Sequence, residues 1–299
     1  YTSNQLIDLI RDRSALMRAG ATSMNVDGVT NLPRLLTDPA STFRAENAEH
    51  SSTEPTFDSI QVVPKAIMCL VQCSREWLED SGVPGDNLIK HTMAESLAQE
   101  IDRVAIDGTG TNSEPLGIYN HTDVPETILG GGPDGAAITD YEFLSPALTS
   151  LAGQNVPINR VHGITSPRVM GDLDLLKLAS GESLLPTPMV SNSLLLNTGG
   201  GYHGSQGPNT SVNLDPQWSK FLVSNKVKTD WTVGASTDAC SAVLLGDFSQ
   251  VVVAWRTNMQ IEKLTERYSE FGQHAFLLWA RLDIIIRKPS QLHRVIGIL

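Results

Sequence analysis

Between residues 86 and 106 the apolar positions keep one face of a helix. Leu88 and Ile89 open the stripe, and Met93, Leu97, Ile101 and Val104 continue it at steps of four, four and three. At 1.5 Å per residue this helix runs roughly 30 Å, about the width of a small domain. Asp86 or Asn87 supplies an acidic or amide cap that suits the positive end of the helix dipole. Lys90, Glu95, Gln99, Glu100 and Arg103 fall on the wetted side. Asp107 and Gly108 are expected to close the helix, glycine by taking the left-handed conformation. A polar turn follows, Asp107-Gly-Thr-Gly110, and then Pro115-Leu-Gly117-Ile118.

Around this helix the period shortens to that of strands. Gln61 to Cys73 is β-rich, and Pro64 marks an edge or bulge within it. Ser74 caps a short helix in which Trp77 and Leu78 are expected to pack inward and Arg75 to bridge Glu79. Residues 1–20 form a weak helix candidate, 20–28 reads as turns, and Leu32-Pro-Arg-Leu-Leu36 is extended. Downstream, Phe143, Leu144, Leu148 and Leu151 predict a helix that Thr139 or Asp140 caps unless Pro146 delays its start. Val161 to Thr165 reads as a strand, and Ser166-Pro-Arg168 opens a further helix. Residues 181–215 are rich in Gly, Ser, Asn and Pro and read as a long surface loop. Short strands are expected at Phe221 to Val227, Trp231 to Val233, Ala242 to Leu245, Val251 to Arg256, Gln260 to Leu264, Ile284 to Pro289 and Val295 to Leu299.

The stretch Thr42 to Ile60 contains three glutamates, one aspartate and no lysine, with Phe43, Phe57 and Ile60 as its apolar anchors. Such a segment cannot bury a core of its own, and a hairpin this polar needs a partner surface.

Taken in order, these pieces resemble the HK97-like major capsid proteins of tailed double-stranded DNA bacteriophages. The pieces are Pro39-Ala-Ser-Thr-Phe43, Val62 to Cys73, Ser74-Arg-Glu-Trp-Leu-Glu-Asp-Ser81, the long helix, Asp107-Gly-Thr-Gly110, Leu245-Gly-Asp-Phe248 and Arg281-Leu-Asp-Ile-Ile-Ile-Arg-Lys-Pro289. The resemblance implies an α+β chain. Residues 1–37 would be an N-terminal arm and lead-in, 38–66 an extended loop with flanking strands, and 67–120 a peripheral domain with its spine helix at 86–106. Residues 121–249 would form an axial domain, 250–288 the returning peripheral strands, and 289–299 a closing axial strand. It also implies self-assembly into hexamers and pentamers of an icosahedral shell in the virion, built in the bacterial host cytoplasm around DNA that is not read by sequence. Scaffolding, portal and cement or decoration proteins would be its other partners. The extended-loop residues Phe43, Arg44, Glu46, Glu49, Glu54 and Phe57 would meet a neighbour. Met93, Leu97, Ile101 and Val104 would form the spine core, and Asp107, Gly108, Gly110, Pro115 and Gly117 the turn after it. The Tyr at position 1 fits proteolytic removal of a scaffolding segment. An encapsulin-like compartment or a gene-transfer particle shell would use the same fold.

Charge sharpens this picture. The net charge of -11 argues against a protein that grips phosphates, yet suits a container whose wall should not hold its DNA. No apolar window is long enough to span a membrane. Cys69, Cys73 and Cys240 lack zinc-finger spacing and read as small buried hydrophobes, so neither metal nor cofactor is expected. No nucleophile elbow, phosphate loop or H-E-x-x-H occurs, and Asp102, Asp107 and Glu114 as paired carboxylates are outweighed by a turn role for Asp107. A hydrolase pocket around His162, Asp172 or His203, and a glycan surface around Trp218 and Trp231, are the readings of other classes. Some HK97-like shells are welded by a lysine–asparagine isopeptide bond assisted by a glutamate. On this alignment the loop holds no lysine, His274 stands at the asparagine position and Arg281 near the glutamate, so a noncovalent shell is expected.

Overall fold

The computed structural model describes residues 14–35, 43, 56–80, 85–111, 113–176 and 221–299. Two sheets share one core. The first has the order β1-β10-β11-β4, built from β1 (Thr22–Asn25), β4 (Lys65–Ser74), β10 (Val251–Leu264) and β11 (Gln273–Ile286). β1 runs parallel to β10, whereas β10, β11 and β4 are mutually antiparallel. Helix α1 (Ala15–Arg18) precedes β1, and α2 (Arg75–Asp80) follows β4 directly.

Helix α3 (Gly85–Asp107) is the long helix expected from the apolar stripe. Met93, Leu97, Ile101 and Val104 are all buried. They share a core with Ile67, Cys69, Val71 and Cys73 of β4 and with Phe276, Leu278, Ala280 and Leu282 of β11. Strict alternation along β4 puts these residues inward and Met68 and Leu70 outward. The helix lies across β4 and β11, and Val251, Val253 and Trp255 of β10 line the same core.

Four other expectations change. Leu88 is 55% exposed, so the stripe begins at Ile89. Residues 20–28 contain β1, a strand of four mostly polar residues held by its parallel partner rather than by its own pattern. Trp77 is 46% exposed while Leu78 alone meets the core. Val251 to Arg256 and Gln260 to Leu264 form one strand whose register shifts absorb the break, and Gln273 to Ile286 is likewise continuous.

A two-stranded antiparallel sheet rises from the outer face of the first sheet. It pairs β2 (Thr30–Leu35) with β3 (Phe57–Val62). Its base is seated by Leu32, Ile60 and Val62 against Val252, Ala254 and Ile285.

The second sheet has the order β5-β12-β9-β6-β7, from β5 (Glu126–Ile128), β6 (His162–Thr165), β7 (Phe221–Val223), β9 (Ser236–Gly246) and β12 (Leu292–Ile298). β8 (Trp231–Val233) pairs with β9. Ala242 and Leu244 face the core that α3 also lines, while Val243 and Leu245 face α4 (Leu144–Gly153) and α5 (Pro167–Leu175). Burial on both faces is why this strand reads as an unbroken apolar run. Pro146 sits in the first turn of α4, where its missing N–H costs nothing, and the helix starts at Leu144 rather than at Asp140. Ser166 caps α5 by accepting from the Val169 amide, as the Ser-Pro signal implied.

Candidate assembly surfaces and the junction that positions them

The hairpin stalk leaves the first sheet at Val63–Pro64. Asp283 of β11 accepts from the Val63 amide at 2.7 Å, and the Arg281 guanidinium donates to the Pro64 carbonyl at 3.2 Å. Burial pushes the Asp283 carboxyl above its ordinary range. Higher on the stalk, Arg34 and Asp58 are cross-strand partners joined at 2.8 Å. The Ser59 amide, and then Arg34, hold the Asp58 carboxyl below its usual value. Above this pair Phe57 is 71% exposed, and Phe43 is fully exposed. Neither anchors the segment to its own chain. Arg44, Glu46, Glu49 and Glu54 lie outside the described residues.

The base of the stalk sits on the outer face of the first sheet. Beyond it that face presents Met68, 65% exposed, and Leu70, with Leu277 and Trp279 half-buried beside them on β11. Such an apolar stripe on an edge strand is a surface that a monomer does not need.

The turn after α3 joins the two sheets. Gly108 is not left-handed; it is required for closeness. A Cβ there would stand 2.3 Å from the Pro115 carbonyl oxygen and 2.5 Å from that of Val104. At Gly117 a Cβ would meet the Gly108 nitrogen at 2.4 Å. The two glycines let residues 115–118 fold back on the helix end, with the Gly117 amide donating to Gly108 at 2.9 Å. Gly110 is the left-handed position, at φ +71°.

Asp107 is buried here. It pairs with Lys228 and accepts from the Trp231 indole N–H at 3.2 Å. Trp231 stacks on Tyr119 with ring centroids 3.8 Å apart, so it is a core residue and not a glycan platform. Arg294 of β12 donates to the Tyr119 carbonyl, pairs with Glu126 at 2.8 Å, and lies over the Tyr119 ring. Burial pushes the Tyr119 hydroxyl up to about 12. On the outer side of the turn Arg103 holds both Glu100 and Glu114, each at 2.7 Å, and Lys65 donates to the Glu114 carbonyl. These hydrogen bonds raise the Arg103 pKa, and Arg103 lowers that of Glu114. A cavity of about 280 Å³ lies between this cluster, β4 and α3. His162 donates Nδ1 to the Arg160 carbonyl, and His203 lies outside the described residues.

Sequence reasoning placed Asp107, Gly108, Gly110, Pro115 and Gly117 together, and they do form one turn. It missed Lys228, Trp231 and Arg294, which come from distant strands and carry no local signal. It also missed the burial of Asp102, to which Ala94, Ala98 and Ala105 point, because they make a second, small-residue stripe beside the first.

The family model of the phage capsid family matches residues 1–199 and 220–295. The chain belongs to the phage capsid family. The major capsid protein of Klebsiella oxytoca phage phiKO2 is 23% identical over 196 residues, which cover 64% of this chain and 45% of that protein. That of Halomonas phage phiHAP-1 is 22% identical over 245 residues, covering 80% and 38%. This phage capsid chain therefore spans less than half the length of these curated relatives. Among solved structures, the capsid of an empty GTA particle superposes with a TM-score of 0.70 at 15% identity, covering 95% of this chain and 90% of that one. A chain of Gordonia phage Cozz gives 0.63 at 15%, covering 95% and 86%. The fold is the HK97-like α+β capsid fold.

One buried and one half-buried histidine give this capsid chain a pH limit. His293 is buried, bonded through Nε2 to Thr127 at 2.9 Å, and its Nδ1 has no partner. Burial lowers its pKa and that of His121 from the ordinary 6.5. The unfolded chain then binds more protons than the folded one, so the stability is complete above pH 6.5 and falls as pH drops through the lowered values. Thermal unfolding from pH 7.5 down to 5 is expected to show a loss that His293→Gln reduces. Parallel profiles for the two chains would contradict it.

Proposed function

We propose that the chain is a major capsid protein that self-assembles into an icosahedral shell enclosing double-stranded DNA. The observation that carries this reading is the stalk β2–β3, whose far end exposes Phe57 and Phe43 to nothing in their own subunit. The first sheet with α3 acts as the peripheral domain and the second sheet with α4 and α5 as the axial domain. The polar segment beyond Phe43 lies across a neighbouring copy, its glutamates meeting basic side chains there. Membership of the phage capsid family supports this reading. The acidic balance suits a wall that repels packed phosphates.

Sizing chromatography and electron microscopy of the assembled protein test it. Closed particles of megadalton mass are expected, and hydrogen exchange at Thr56 to Ser59 should slow on assembly. A stable monomer under all conditions would sink the reading. DNA rather than protein cargo inside the particles separates a virion shell from a cellular compartment.

The linkage between copies is noncovalent. No lysine occurs between Val26 and Val63, so the loop cannot supply the amine of an isopeptide bond. Boiled, reduced shells should run as one band at the mass of a single chain. A ladder of heavier bands would overturn this.

A further inference from the structure

Asp102 is a carboxylate in the interior, 4% exposed, one residue from the core stripe of α3. Among the described residues no lysine or arginine bonds to it. Its partners all come from one short piece of chain: the Ser14 hydroxyl donates to Oδ1, the Ala15 amide to Oδ2 at 2.8 Å, and the Leu16 amide to Oδ1 at 3.2 Å. Arg18 on α1 is the charged side chain that faces it. Strand β7, which also packs on α1, brings only Phe221, Leu222 and Val223.

Ser14, Ala15, Leu16 and Ala19 are buried, and Leu16 and Ala19 join the core beside Ala94, Ala98 and Ala105 of α3. The alanines leave room for α1 to lie close against the helix. α1 closes one turn of its own, with the Met17 amide donating to the Ser14 hydroxyl and the Arg18 and Ala19 amides to the Ser14 and Ala15 carbonyls, but it is only four residues long. An isolated turn of that length does not hold its shape in water. Packing and the Asp102 carboxylate are what fix it.

We propose that Asp102 is the positioning residue for α1: it seats Ser14 to Leu16 on the long helix α3 and so fixes where this turn lies. The seat lies between α3 and β7, that is, at the seam of the two sheets. A charged group is suited to this task because three donors converge on it with fixed directions, whereas an apolar contact would let the turn slide or rotate. The cost of burying the charge, which raises its pKa, is offset only while all three donors are in place. Each donor that is lost therefore weakens the docking at this point.

The test uses the free subunit and does not depend on whether the chain closes into a shell. Trypsin can cut after Arg18 only when α1 leaves its seat, because cleavage needs several residues in extended form. Asp102→Ala is expected to speed that cut at least tenfold and to raise hydrogen exchange at Ala15 to Ala19. Cuts after Lys226 and Arg281, in and beside the two sheets, should keep their wild-type rates. Ser14→Ala leaves α3 intact and should act in the same direction with a smaller effect, so it carries the test if Asp102→Ala does not fold. Equal cutting after Arg18 in wild type and both variants would overturn the proposal. So would a uniform rise at all three sites, which would make Asp102 a general stabiliser and not a positioning residue.

Discussion

Replacing Leu97 with alanine should lower the stability of the free subunit by about 2–5 kcal/mol, the cost of a buried leucine plus the cavity it leaves. Leu97 is almost wholly buried on α3 where the helix crosses β4 and β11. Its neighbours on the stripe, Met93 and Ile101, are equally enclosed, so the site has little freedom to collapse. The loss is a large share of a typical fold's total stability. Leu97→Lys should be worse, since an unpaired interior charge is more costly than a void. Gln99→Ala on the exposed side is the control and should leave folding nearly unchanged. Chemical unfolding of the three variants checks the ranking, and the yield of closed shells should follow it. If Leu97→Ala unfolded like wild type, α3 would not be the core element described here.

The second large effect is expected at Gly117. A methyl group there meets backbone atoms on three sides: the Gly108 nitrogen at 2.4 Å, the Ile106 carbonyl oxygen at 2.7 Å and the Asp107 nitrogen at 2.8 Å. None of these is the end of a flexible side chain, so the turn itself must open. Overpacking of this kind costs about 1–3 kcal/mol, and more when the backbone has no slack. Opening the turn also separates Tyr119 from Trp231 and Asp107 from its partners, so the effect should reach the second sheet. Gly117→Ala should therefore lower the unfolding midpoint and redshift the tryptophan emission, as Trp231 loses its stacked, buried setting. Gly131→Ala, in a loop where a Cβ meets nothing, is the comparison; it carries only the strain of a left-handed alanine. Indistinguishable midpoints for Gly117→Ala and wild type would refute the close-approach account.

These two positions show which parts of the fold were legible in the sequence. The stripe through Leu97 was readable because a helix writes its buried face into steps of three and four, and the pattern is local. The helix end was readable as well, but for the wrong reason. Gly108 stops no left-handed turn; it makes room for Pro115, and that neighbour is known only once the chain has folded back. The same limit hid β1, whose polar residues Thr22, Ser23 and Asn25 become a strand through Val252 to Trp255 far along the chain. Leu88 misled in the other direction: it stands next to the buried Ile89 in sequence but turns to the exposed side of the helix. Asp102 illustrates the limit most clearly. The sequence could weigh it only as one of a carboxylate pair, and the donors of a separate segment make it an interior anchor instead.

The order in which the first sheet is spelled out has a consequence for synthesis. Its two outer strands, β1 and β4, are made early, yet both hydrogen-bond to the inner pair β10 and β11, whose residues begin at Val251. On a growing chain, α3 would therefore be present with its apolar stripe, and β4 beside it, long before the inner strands that complete its cover exist. Contacts this far apart in sequence form late and slowly. A nascent chain stalled before Val251 lacks the first sheet, the seat for the stalk and the outer apolar face. For the shell proposed above, copies on neighbouring ribosomes would thus lack that apolar face until the inner strands emerge.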